Sequence, residues 1–153
     1  MPSKVRNREK LARKLRALPE EVKRVIGQAI EDSAAEVVAM QKRLVPVESG
    51  ELRDSIQFTM GQERVKYSMG IGGVRGDPDL SARISAGNAR VRYAHIVEYG
   101  SAPHKNAGKF AGSQHPGTKA QPYFWPAWRA YRRRVRSRIT RATKKAAREV
   151  ASS

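Results

Sequence analysis

The chain has 153 residues, 39% of them hydrophobic, which suits one compact domain and leaves too little apolar material for a second independent core. Lys and Arg number 31 against 14 Asp and Glu, so the net charge of +17 favours polyanionic or acidic partners. The lack of cysteine excludes disulfide scaffolds, zinc fingers and thiol nucleophiles, and with no apolar run near the roughly 20 residues of a membrane span and no secretory signal, a soluble, unexported protein is expected.

Residues 1–18 read as a basic arm or a short amphipathic helix, since Leu11, Leu15 and Leu18 fall at helical spacing among many cations and the spacing does not decide between the two. The rest, 19–153, is expected to be a single domain. Pro19, Glu20 and Glu21 suit a helix start, and Val22, Ile26, Ala29, Ser33, Val37, Met40 and Leu44 draw one stripe along a long helix that Pro46 stops. Beyond the turn Val47-Glu48-Ser49-Gly50, Leu52 and Ile56 lie one helical turn apart, and Ile56, Phe58 and Met60 alternate as in a strand. Gly61 and Gln62 would connect it in a hairpin to a second strand carrying Val65, Tyr67, Met69 and Ile71.

Gly72 to Asn88 reads as a flexible loop, with at most a short strand around Arg83 to Ser85. Val91, Tyr93, His95, Val97 and Tyr99 alternate with Ala94 and Ile96, which predicts a third strand covered by helices on both faces. Gly100 to Gln121 is a long loop short of apolar anchors, expected to order on assembly. A last helix carries Trp128, Tyr131, Val135, Ile139, Ala142, Ala146 and Val150 on one face. The fold class is therefore α+β, a long N-terminal helix and a basic C-terminal helix packed on a small, mostly antiparallel sheet.

Chemistry-bearing constellations are sparse. His95, His104 and His115 with Glu98 and Asp77 match no compact metal-ligand spacing; His95 reads as a packing or hydrogen-bonding residue, and His104 and His115 as loop residues. Asp77 and Asp79 around Pro78 read as a solvated turn. Ser49, Ser55 and Ser101 have no nucleophile elbow, and Gly70 to Gly76 does not lead into a helix as a phosphate loop does. No catalytic, cofactor or metal site is expected. The C-terminal series is different in kind: Arg129, Arg132, Arg133, Arg134, Arg136, Arg138, Arg141, Lys144, Lys145 and Arg148 face only Glu149 within their own segment. DNA phosphates, an acidic protein or plain solvation would each relieve that repulsion, and the candidate contacts are Arg129, Arg132, Arg133, Arg136, Arg141, Lys144, Lys145 and Arg148. The cluster Tyr123, Phe124, Trp125 and Trp128 reads as core and interface anchor before base-stacking platform.

Two motifs carry a resemblance. The run Leu44-Val45-Pro46-Val47-Glu48-Ser49-Gly50-Glu51-Leu52-Arg53-Asp54-Ser55-Ile56 resembles the helix-to-strand junction of the gene-product-ten-like tail-component family of long-tailed bacteriophages. Tyr93-Ala94-His95-Ile96-Val97-Glu98-Tyr99-Gly100-Ser101, followed by the run from His115-Pro116-Gly117-Thr118 to Pro122-Tyr123-Phe124-Trp125-Pro126-Ala127, is similar to a second block of that family. The likeness runs from Pro19 to Val150. Glu48, Ser49, Ser101, Tyr123 and Trp125 depart mildly from the usual residues, and the strongly basic helix is not part of the pattern.

The resemblance implies a structural virion protein of the neck, assembled in the host cytoplasm and not an enzyme. It would form a homo-oligomeric ring, hexameric or dodecameric, between head-closure or connector proteins and tail terminator or tube proteins, with DNA passing through and no membrane involved. The residues it points to for ring or partner contact are Val47, Glu48, Ser49, Gly50, Leu52, Tyr99, His115, Pro116, Gly117, Thr118, Tyr123 and Trp125. The rival reading, from charge alone, is a basic nucleic-acid-binding protein.

Overall fold

The computed structural model describes residues 19–61, 63, 65–71 and 77–152; residues 1–18, where arm and helix stood as alternatives, lie outside them. In chain order the elements are α1 (Glu20–Leu44), α2 (Glu51–Asp54), β1 (Gln57–Met60), β2 (Met69–Ile71), a 3-10 turn (Pro78–Leu80) and β3 (Ala82–Ala86). There follow α3 (Ala94–Tyr99), β4 (His104–Lys105), a 3-10 turn (Gly108–Phe110), β5 (Gln114–His115) and α4 (Phe124–Ser152).

Helix α1 forms where its stripe predicts, with Glu20 and Glu21 in the first turn and Lys42 and Arg43 in the last, matching the helix dipole at both ends. It buries Val22, Ile26, Ala29, Ser33 and Val37 as expected, but towards its end Val38 and Gln41 turn inward while Leu44 stays exposed. The cause is α4, which runs antiparallel alongside. Gln41 Nε2 donates to the Phe124 carbonyl at 3.3 Å, Arg138 meets Ser33 and Glu36, and Ala146 packs with Val22 and Ile26.

The sheet corrects the expected hairpin. Strands β1 and β2 do not pair with each other; both pair antiparallel with β3, giving the order β1-β3-β2. Register sets Phe58 and Ile71 on either side of Ile84, with Met60 beside Ala82 and Met69 beside Ala86, so the predicted alternation survives although the pairing differs. Val65 and Tyr67 fall outside β2, and Tyr67 takes a positive φ of 61° with the Arg92 guanidinium 4.2 Å from its ring centre.

The expected third strand at Val91–Tyr99 is a turn leading into α3. The buried residues there are Val91, Ala94 and Glu98, spaced three and four apart, whereas Tyr93, His95 and Tyr99 from the alternating set are exposed. Asn88 starts the turn, its Oδ1 accepting from the Arg90 and Val91 N–H groups at 2.9 and 3.0 Å. Val37, Ile56, Tyr123 and Phe124 are fully buried in the cluster that joins α1, the sheet and the start of α4. Burying each such side chain contributes about 1.5–3 kcal/mol.

Halfway along the helix pair, Arg138 bonds Glu36 Oε1, and Arg134 Nε lies 3.2 Å from Glu36 Oε2. The Arg138 guanidinium, reinforced by Arg134, holds the Glu36 carboxyl below the usual carboxylate range against the opposing effect of burial. A depressed folded value means that this contribution is complete above the unfolded Glu pKa of about 4.3 and is lost as pH falls through the folded value. The melting temperature of Glu36→Gln should therefore lie below that of the parent by a constant gap from neutrality to about pH 5, and the gap should close below about pH 4. Thermal unfolding of both proteins across that range checks it.

Candidate functional site

The start of α4 has no capping side chain of its own. Gln121, Pro122 and Tyr123 precede or open it where Ser, Thr, Asp or Asn would normally accept from the first free N–H groups. Glu98 supplies the acceptor from a distance. The turn at Asn88 and the short α3 aim its side chain inward, where it is 3% exposed. Glu98 Oε2 accepts from the Tyr123 and Phe124 N–H groups at 2.7 and 2.8 Å, and Oε1 from Trp125 N–H at 3.1 Å. Three charge-assisted bonds at the positive end of a long helix dipole give the buried carboxylate its partners. Burial first, and the Glu98 carboxylate second, push the Tyr123 phenol above the ordinary tyrosine range.

Gly100 to Gln121 is an ordered arm, where the sequence suggested a loop awaiting assembly. Ser101 and Thr118 exchange backbone bonds at 2.9 and 3.0 Å, and Gln121 N–H bonds the Val97 carbonyl at 2.8 Å. Gly100 and Gly117 make this closure: both have positive φ, and a Cβ on either would lie 2.6 Å from a carbonyl oxygen, of Thr118 and of Ser101 respectively. Beyond that bridge β4 and β5 pair, with His104 opposite His115 and their rings stacked at 5.0 Å. His115 Nδ1 accepts from Gly117 N–H at 3.0 Å, and His104 Nδ1 faces the Ala102 carbonyl at 3.0 Å. These bonds engage the Nδ1 of each ring within the arm itself. Among the described residues no three His, Asp or Glu cluster.

The residues expected at an interface divide into two kinds. Gly50, Leu52 and Tyr123 are buried and act as internal supports, while Val47, Glu48, Ser49, Tyr99, Pro116 and Thr118 are exposed. His115, Gly117 and Trp125 are half-buried, and Trp125 Nε1 donates to the Tyr99 hydroxyl. Because α1 and α4 are antiparallel, the turn from Val45 to Leu52 lies at the same end of the helix pair as Tyr123 and Trp125. The two motifs are thus brought to one end.

The basic series divides as well. Arg134 and Arg138 are held by Glu36, an opposing charge that the reading of α4 alone did not contain. Arg129, Arg132, Arg133 and Arg136 are exposed, form no ion pair among the described residues, and at 100° per residue lie within one flank about 10 Å long. Arg132, Arg133 and Arg136 line one shallow cleft there. Arg141, Lys144 and Arg148 are exposed further along, and Lys145 lies 3.9 Å from Glu149. No helix among the described residues is long and apolar enough to cross a membrane.

A family model described as "Bacteriophage HK97-gp10, putative tail-component" matches residues 9–100, and the chain belongs to this family of phage tail components. A structural, tail-related place in the virion follows. The match contains the Leu44–Ile56 junction and ends at Gly100, so the His115–Ala127 block and the basic helix lie outside it, short of the Val150 limit drawn from motifs. No curated protein and no solved structure matches the chain.

Glu98 was legible as part of a motif but was not singled out as a site residue. The signal that would have found it is the long helix at Phe124 with no local cap, since its free N–H groups require an acceptor elsewhere. Glu98→Ala strands three buried donors and should cost on the order of 2–4 kcal/mol. Glu98→Gln, which keeps one acceptor oxygen, should cost less. Denaturant midpoints at unchanged slope check both.

Proposed function

We propose that the protein is a neck component that forms a ring between the head connector and the tail and encloses the DNA path. The observation that carries this reading is the arm, a well-formed hairpin closed by Gly100 and Gly117 that projects surface in place of burying it. The exposed Val47, Glu48 and Ser49 of the family junction lie at the end of the helix pair where Tyr123 and Phe124 begin the last helix. A head-to-tail ring needs two different patches per subunit, and the arm, with Lys105 and Lys119, differs in charge from the junction turn, where Glu48 and Glu51 stand unpaired among the described residues and Asp54 is paired with Arg53. Assembly, with no covalent step, is the whole mechanism; head-closure or connector proteins and tail terminator or tube proteins are the neighbours.

The flank Arg129, Arg132, Arg133 and Arg136 has the charge to meet duplex phosphates, of which one strand presents one per roughly 3.4 Å of duplex axis, about three over the length of the flank. In a ring this flank lines the channel. The same flank is what favours the rival reading, a nucleic-acid-binding protein that acts outside the virion.

Particles lacking this gene product should appear in electron micrographs as filled heads and finished tails, unjoined. Joined particles would instead favour the rival. Replacing Arg129, Arg132, Arg133 and Arg136 together by Ser should lower duplex affinity and reduce the slope of log affinity against log salt by roughly three, leaving the melting temperature nearly unchanged. Replacing Arg134 and Arg138 should do the reverse, lowering stability more than the salt slope.

A further inference from the structure

Phe110 is 71% exposed, more than any other large hydrophobic side chain among the described residues. It ends the 3-10 turn at the tip of the arm, and the tip is tied: Asn106 N–H to the Ser113 carbonyl at 2.9 Å, Asn106 Nδ2 to Ser113 Oγ at 2.8 Å, and Ser113 Oγ to the Phe110 carbonyl at 2.7 Å. An ordered loop therefore presents a bare phenyl ring that belongs to neither core cluster, with Lys105 and Lys109 nearby. Holding an anchor in place before contact reduces the entropy lost on binding.

The same chain carries a hollow of matching chemistry. An apolar groove of about 360 Å³ opens between α1, the sheet and α4, lined by Ile30, Val37, Leu80, Ile84, Trp128 and Val135 among others. A cavity of roughly 150 Å³ holds a benzene ring, so this groove has room for a phenyl group and part of the loop that bears it. The sequence neighbours of Ile30 and Leu80 are Glu31 and Asp79, both exposed and in no ion pair among the described residues; they border a cleft that also holds the ion pairs Lys23–Glu20 and Arg24–Glu21, so Glu31 and Asp79 give its edge a net negative charge. An apolar socket with an acidic edge complements an apolar tip with basic neighbours.

We infer that the occupant of the groove is Phe110 of a second copy, with Lys109 set against Glu31 and Asp79. Tip and socket are different patches, so the contact is head-to-tail and closes into a ring when the rotation per subunit allows. The inference rests on the ring reading above for its biological setting, but the contact itself is tested separately.

Because the chain has no cysteine, single thiols report without background. Ser81 lines the groove. Copies carrying Phe110→Cys, mixed with copies carrying Ser81→Cys and oxidised, should give a mixed disulfide in large excess over the product of either variant alone. Phe110→Asp should abolish rings while leaving the fold of the separate subunit intact by circular dichroism, since the phenyl ring is 71% exposed and belongs to neither core cluster. Rings that persist in Phe110→Asp without a mixed disulfide overturn the contact and leave the ring reading standing. A parent protein that stays monomeric, alone and with its neck neighbours, removes the ring reading, and the mixed disulfide then decides by itself whether tip and socket meet. Cross-linking of Phe110→Cys with itself overturns the inference by showing that arms meet arms. A bond within one chain between Leu15→Cys and Ser81→Cys overturns it by showing that the N-terminal segment fills the groove.

Discussion

The buried carboxylate of Glu98 is the constraint on which the arrangement of this protein turns. A helix of 29 residues begins at Phe124 with no acceptor in the residues before it, and its first N–H groups point into the main core. Leaving them unpaired would cost free energy comparable to several lost hydrogen bonds. Glu98 meets all three, and in doing so fixes α3 against the start of α4 and fixes Tyr123 and Phe124 as the floor of the core. The arm base, the aromatic cluster and the junction turn all take their places around that point.

The backbone closure beside it has a similar logic. Gly100 and Gly117 let two segments pass so closely that side chains are excluded, and the segments between them are then forced outward as a hairpin. A long polar insertion, which has too few apolar residues to form its own core, is thus held by backbone bonds as a hairpin with an exposed tip.

Charge is also sorted by the fold. Along α4 the cations look alike in sequence, yet the packing of α1 assigns Arg134 and Arg138 to Glu36 as a clamp between helices and leaves Arg129, Arg132, Arg133 and Arg136 as an open flank. Clamped and unpaired cations are thus interleaved on one helix and separated only by which side faces α1. A net charge of +17 opposes packing copies together unless anions or acidic neighbours stand near the open flank, and a DNA path through the assembly would supply them.

By itself the sequence determined the two long helices, the α+β class, the family junction at Leu44–Ile56 and the inward-facing Phe58, Met69 and Ile71, because helical and strand periodicities are local and the prolines that bound the first helix sit beside it. It also displayed the first half of α1's buried face correctly. Only the tertiary structure decided that β3 stands between β1 and β2, since Ile84 among alanines carries little strand signal and strand pairing is a long-range choice. It alone turned Val91–Tyr99 from strand to helix, where the demand of α4 for an acceptor at Glu98 outweighed an alternating pattern of β-favouring residues. It alone divided the arginines, because a charge on α1 is invisible to a reading of α4. Local patterns record what each segment can do; the unpaired backbone groups and buried charges of other segments select among those options.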